Sequence, residues 1–118
     1  MLNDLRERTT GFALRVIKLV EALPSTPTTR VLGTQVLRSG TSVGAQYREA
    51  CRSRSTAEMV SKLESTLQEL DETAYWFDLL VGSGVVRELK LRALRDETEQ
   101  LTAILVACVK KLKLTRRR

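Results

Sequence analysis

Apolar residues recur along the chain at alternating steps of three and four, the spacing that gathers one face of an α-helix, and no stretch shows the strict alternation of a half-buried strand. In the first segment, Asn3 to Leu23, this spacing puts Phe12, Val16, Leu19, Val20 and Leu23 on one stripe. Pro24-Ser25-Thr26-Pro27 ends it, because proline has no N–H for the helical ladder. The same four residues start the next helix, with Thr26 as cap and Pro27 at the first helical position. The second segment, Pro27 to Arg52, carries Val31, Leu32, Val36, Val43 and Ala50, interleaved with Gly33, Ser39, Gly40, Ser42, Gly44 and Ala45. A glycine inside a helix costs about 1 kcal/mol relative to alanine, so this density of small residues predicts a crossing where another helix backbone comes close. Ser55-Thr56-Ala57-Glu58 reads as a capping box opening a third helix that runs to Val81, with Leu63, Leu67, Leu70, Ala74, Phe77 and Val81 as its seam. Gly82-Ser83-Gly84 stops it. The fourth, Val86 to Leu114, repeats the pattern at Leu91, Leu94, Thr98, Leu101, Leu105, Cys108 and Leu112, and its basic end meets the negative pole of the helix.

Four long helices with short connections predict an all-α, antiparallel up-down-up-down four-helix bundle. The 118 residues form one domain, residues 1–114, followed by a basic tail, 115–118. In this topology the start of the first helix, the end of the second, the start of the third and the end of the fourth share one pole.

Charge sharpens the picture. The chain holds 20 Lys+Arg against 14 Asp+Glu, a formal net charge of +6, and its 29% charged and 42% hydrophobic residues exclude a disordered chain. Residues 1–108 hold 14 of each sign, so the excess is Lys110, Lys111, Lys113, Arg116, Arg117 and Arg118. Arg30 to Arg54 contains five arginines and one acid, Glu49, whereas Glu58 to Asp78 contains six acids and one base, Lys62. These opposed segments predict ion pairs between the second and third helices. At the shared pole Arg48, Arg52 and Arg54 join the C-terminal cations in one patch, the footprint of salt-dependent phosphate-backbone binding. Phe12, Tyr47, Tyr75, Trp76 and Phe77 fall on helical faces rather than on a platform for stacking bases, which favours backbone or shape recognition of RNA or DNA.

Other chemistry is poorly provided for. With no histidine, the chain lacks imidazole metal ligands, His-dependent triads and the commonest general base. Glu69, Asp71 and Glu72 sit within one turn, but di-iron carboxylate bundles also require Glu-x-x-His elements, so neither a metal nor any other cofactor is expected. Arg38 to Gly44 is rich in glycine and hydroxyls yet lies mid-helix with no Gly-Lys-Ser or Gly-Lys-Thr after a strand, which argues against a phosphate loop. Ser39, Thr41 and Ser42 have no base to activate them, and no enzyme is expected. Cys51 and Cys108 are too few for a disulfide framework and fit reduced thiols in the cytoplasm. The N-terminal residues lack the apolar core of a signal peptide, and no apolar run approaches the ~20 residues of a membrane span.

The second helix, Gln35-Val36-Leu37-Arg38-Ser39-Gly40-Thr41-Ser42-Val43-Gly44-Ala45-Gln46-Tyr47-Arg48-Glu49-Ala50, closely resembles the signature of the 23S rRNA intervening-sequence protein family. Glu69-Leu70-Asp71-Glu72-Thr73 with Tyr75-Trp76 is similar to its second block, and Glu97, Leu101, Ile104 and Leu105 suit its last helix. Gln46 stands where the family more usually has Asn. The resemblance implies a four-helix bundle assembled as a ring-shaped homopentamer. It also implies kinship with accessory proteins of diversity-generating retroelements, which bind nucleic acid and a reverse transcriptase. The motif residues are Arg38, Ser39, Ser42, Tyr47, Arg48, Glu49, Glu69, Glu72, Tyr75 and Trp76, in roles of packing or assembly. The function expected is therefore a non-enzymatic, cytoplasmic, oligomeric bundle binding RNA or DNA through its basic pole; the alternative is a scaffold whose main partner is another protein, such as a reverse transcriptase.

Overall fold

The computed structural model describes residues 2–116, with the side chains of residues 4–115. Four helices follow one another: α1, Leu2–Glu21; α2, Pro27–Cys51; α3, Thr56–Gly82; and α4, Glu88–Arg116. They pack in chain order, α1 on α2, α2 on α3, α3 on α4, and α4 returns to α1 over a much smaller contact. The result is an antiparallel four-helix bundle 52 Å long and 21 Å across.

Local chemistry explains the corners. Thr26 caps α2 by accepting from the Thr29 N–H, and the Thr29 hydroxyl accepts in return from the Thr26 N–H at 2.9 Å, completing a box that lacks the usual carboxylate. At α3 only half of the expected box forms. Ser55 Oγ accepts from the Glu58 N–H at 3.1 Å, while the exposed Glu58 carboxylate makes no return bond to the Ser55 N–H, a bond worth little at an exposed site where water competes for both groups. The α3 terminus is a Schellman motif: the Val85 N–H bonds to Leu80 O and the Gly84 N–H to Val81 O, with Gly84 at φ +80°. This turn draws in Val85 and Val86, so α4 begins at Glu88 rather than Val86. Similarly α1 ends at Glu21, before the Leu23 that precedes Pro24, a position from which proline excludes helical geometry.

The core follows the predicted faces with a rotation. Phe12 and Val16 of α1 are fully buried, joined by Leu5 and Thr9. On α2, Leu32, Val36, Val43 and Ala50 are buried, but Val31 is 62% exposed. On α3 the buried line runs Val60, Leu63, Thr66, Leu70, Thr73, Phe77 and Leu80, leaving Leu67, Ala74 and Val81 on its flank. On α4, Val109 replaces Cys108 at the centre. The buried threonines explain the shift: Thr9, Thr66, Thr73 and Thr98 each donate to the carbonyl four residues earlier, at 2.7–2.9 Å, so the hydroxyl is satisfied within its own helix and the methyl packs inward.

The α1–α2 crossing is the close one that the small residues predict. A Cβ on Gly40 would stand 2.9 Å from Val16 Cγ1 and Cγ2, and one on Gly44 would stand 3.2 Å from Thr9 Oγ1.

Candidate nucleic-acid interface

The antiparallel topology brings the C-terminal end of α2 and the C-terminal end of α4 to one end of the bundle. Arg48 is exposed and reaches across the α1–α2 seam, its Nη2 donating to Thr10 Oγ1 at 3.2 Å. Arg52 is the C-cap of α2: its N–H is spent on the Glu49 and Ala50 carbonyls and its side chain is exposed, as is that of Arg54 in the following turn. Lys110 and Lys111 are exposed near the end of α4. Lys113 is half-buried and ion-paired with Glu64 at 3.3 Å. Arg116 ends α4; Arg117 and Arg118 lie outside the described residues, so their part in the patch is an expectation from sequence alone.

This end is less uniformly basic than segment charge predicts. Glu49 pairs with Lys62 at 3.3 Å, and Asp4, Glu7 and Glu58 belong to the same end. Arg6, in the second turn of α1, adds a cation there although it belongs to no block of like charge in the sequence. Its stretch of chain is close to neutral, and the antiparallel packing of α1 on α2 makes α1's first turns part of this surface.

The motif residues of α2 and α3 serve a different end. Arg38 crosses to α3, pairing with Glu72 and standing 3.5 Å from Glu69, while its Nε donates to Gln35 Oε1 at 3.3 Å. Gln46 Nε2 donates to the other Glu69 oxygen at 3.1 Å. Ser39 and Thr73 meet hydroxyl to hydroxyl at 2.8 Å in the core. Ser42 bonds back to the Arg38 carbonyl, and Tyr47 is fully buried. The signature therefore packs α2 against α1 with its glycines and against α3 with its polar residues. The expected pairing of α3 acids with α2 arginines is made by Arg38 among the described residues. Glu69 and Glu72 are occupied by it, and no group of three or more His, Cys, Asp or Glu side chains converges among the described residues.

Among the described residues, two groups are shifted from their ordinary ranges. The hydrogen bond from Arg8 to Glu97, at 2.6 Å, is the main influence raising the Arg8 guanidinium. Burial, with the Cys51 thiol next in importance, pushes the Tyr47 phenol up. The Tyr47 hydroxyl has no hydrogen-bond partner, so it carries a desolvation cost that its ring packing must offset. Tyr75 is 54% exposed, its ring tilted 55° against Trp76 with centroids 5.2 Å apart.

Fold and surface together define an all-α bundle with a cationic end and no helix, among the described residues, long and apolar enough to cross a membrane. The family model for the 23S rRNA-intervening sequence protein matches residues 3–107, and the chain belongs to that family. It is similar to a crystal structure of a protein of unknown function from the S23 ribosomal protein family of Bacteroides thetaiotaomicron. That likeness has a TM-score of 0.87 and 30% identity over 92% of this chain and 97% of that one. No curated protein is similar enough to match.

Proposed function

We propose that this protein is a non-enzymatic, self-associating bundle that binds RNA or DNA through the cationic end, in the cytoplasm. The observation that carries the reading is that Arg48, Arg52 and Arg54 at the α2–α3 corner share one end of the bundle with Lys110 and Lys111 on α4, cations from segments far apart in the sequence. Such a surface holds phosphates by charge and positions a duplex or a folded RNA without reading base edges. The family's association with an insertion in 23S rRNA supports RNA as the first ligand to test. In the homopentameric ring that the family resemblance implies, the patch would recur around an axis, and contacts too weak singly would add through effective concentration.

The test replaces Arg52, Arg54, Lys110 and Lys111 together with Gln and measures fluorescence anisotropy of labelled duplex RNA and duplex DNA over a range of salt. Binding should weaken, and on a B-form duplex the log–log salt slope should become shallower by roughly 0.9 for each phosphate that is no longer neutralised. Unchanged affinity and slope overturn the reading.

A second reading, a scaffold for another protein such as a reverse transcriptase, rests on the exposed Tyr75 beside Trp76, an aromatic pair of the kind that anchors protein interfaces. A partner retained after nuclease treatment, and released by Tyr75→Ala, favours it.

A further inference from the structure

On the flank between α1 and α2, beside the cationic end, lies a depression of 350 Å³ lined by Arg6, Glu7, Thr10, Gly11 and Leu14 of α1 and by Arg48 of α2. Thr10 organises it. The hydroxyl donates to the Arg6 carbonyl at 2.8 Å and accepts from Arg48 Nη2 at 3.2 Å, so a neutral group rather than a carboxylate holds Arg48 in place. Neither Arg6 nor Arg48 makes an ion pair among the described residues, and each guanidinium has five N–H donors to offer. Glu7 offsets one of the two charges, and the lining stays net positive. The groove of 340 Å³ between α1 and α4 differs in this respect: its charged residues are Asp4, Lys111 and an Arg8 already bound to Glu97.

Gly11 adds an independent sign. Glycine within a helix costs stability, and a Cβ on Gly33, Gly40 or Gly44 of α2 would have neighbours within 4 Å, whereas one on Gly11, in the middle of α1, would meet nothing. Nothing in the chain itself requires glycine there. Its lack of a side chain keeps the depression open and the α1 backbone approachable, with Leu14 one turn further on and 56% exposed. The space falls in the range of about 300–1,000 Å³ in which small ligands and ligand fragments are held.

Two unpaired cations beside an uncharged, open surface suit an anion that carries a neutral body. A phosphate within a duplex presents charge alone, because pairing covers its base. A nucleotide of a single strand presents the phosphate together with an uncovered sugar and base, and a guanidinium plane can stack on that base where no aromatic ring is at hand.

We propose that this depression seats one unpaired nucleotide of an RNA or DNA strand, its phosphate between Arg6 and Arg48 and its sugar and base over Gly11 and against Leu14. The inference rests on nucleic-acid binding at the cationic end and adds a class of ligand: a duplex held by that end, with a single-stranded extension running onto the α1–α2 flank.

Fluorescence anisotropy tests it by comparing a blunt duplex RNA with the same duplex carrying a short oligouridine overhang, over a range of salt. The overhang should tighten binding to the unaltered protein roughly tenfold, the scale of one charge-assisted contact, and steepen the log–log salt slope by about 0.7 for one added phosphate. Gly11→Leu fills the depression without altering charge, and circular dichroism verifies that its helicity is kept. This variant should bind the blunt duplex as the parent does and lose the gain from the overhang. Arg6→Gln should lose both the gain and the added slope. Equal binding of the two duplexes by the parent, or a Gly11→Leu chain that keeps the gain, overturns the proposal and leaves duplex binding at the cationic end standing. Failure of the parent to bind either duplex overturns both.

Should Gly11→Leu lose helicity, a thiouridine in the overhang decides the matter by photo-cross-linking to the unaltered protein. Adducts located by mass spectrometry on the segment from Thr10 to Leu14 or on Arg48 are expected, and adducts confined to other segments overturn the proposal.

Discussion

Gly40 on α2 lies so close to Val16 on α1 that a methyl group on its Cα would stand 2.9 Å from both Val16 γ carbons. Val16 is fully buried and β-branched, so it has neither space nor an alternative rotamer with which to yield. The glycine is therefore a packing residue whose helix-propensity cost the crossing offsets.

Gly40→Ala should destabilise the protein by about 1–3 kcal/mol through overpacking, more than the roughly 1 kcal/mol that alanine returns as a helix former. Gly33 is the control, because a Cβ there would meet Leu23 and Val20 at 3.4–3.5 Å, an ordinary contact. Thermal melts should show Gly40→Ala lowering Tm and Gly33→Ala raising it or leaving it unchanged. A rise with both would show that Val16 moves freely.

The Arg38 crossing sets the register of α2 on α3. Its removal leaves Glu69 poorly exposed and without its cation, so Arg38→Met should cost about 1–3 kcal/mol. The double variant Arg38→Met/Glu69→Met should recover part of that loss, since a removed pair leaves no uncompensated charge. By contrast Lys62→Ala, which breaks an exposed pair with Glu49, should cost less than about 1 kcal/mol. Urea denaturation of the four proteins tests the ordering, and an Arg38→Met loss no larger than that of Lys62→Ala would contradict it.

Tyr47 makes stability sensitive to alkali. In the folded chain its phenol ionises above its ordinary value of 10.0, because burial disfavours the phenolate. The unfolded chain, with the lower pKa, releases this proton first, so the contribution is fully present below pH 10 and is lost as pH rises above it. Tyr47→Phe should be mildly stabilising at pH 7, since it removes a buried hydroxyl that has no partner, and its advantage over the parent should grow above pH 10. Parallel stability curves for the two proteins through that range would rule the account out.

At the cationic end, pairing predicts unequal contributions. Lys113 is bound to Glu64, whereas Lys111 is exposed at the rim of the α1–α4 groove. Lys111→Gln should therefore weaken duplex binding more than Lys113→Gln, and Glu64→Gln should strengthen it by releasing Lys113. Titrations at low salt, where surface charge is least screened, check the order.

Local chemistry makes much of the fold legible. The two prolines, the Thr26 cap and the glycines after Val81 act over a few residues, and the helices end within two residues of where these signals place them. Thr98 is legible because it falls on the apolar seam of α4, but the buried Thr9, Thr66 and Thr73 are not, because a hydroxyl reads as a polar surface group until its own helix supplies the carbonyl that satisfies it. Apolar spacing therefore favours Leu67 and Ala74 over Thr66 and Thr73. Val31 departs in the opposite sense: its apolar side chain suits the stripe, but α2 turns its glycine-rich face to α1 and leaves Val31 in solvent. The α2 signature is visible as a pattern, yet its division into glycines for α1 and polar groups for α3 requires both neighbours to be in place.

The sequence by itself determined four helices, their caps, their antiparallel order and hence which ends lie together, since hydrophobic spacing and short connections are local constraints. Tertiary structure decided the rotation of each helix and the pairing of each charge. One residue turns a helix by about 100°, so placing Thr73 or Ala74 at the centre of a face depends on the packing of the neighbouring helix. In the same way Lys113 became a paired cation and Lys111 an exposed one, a distinction set by where Glu64 lies across the α3–α4 seam.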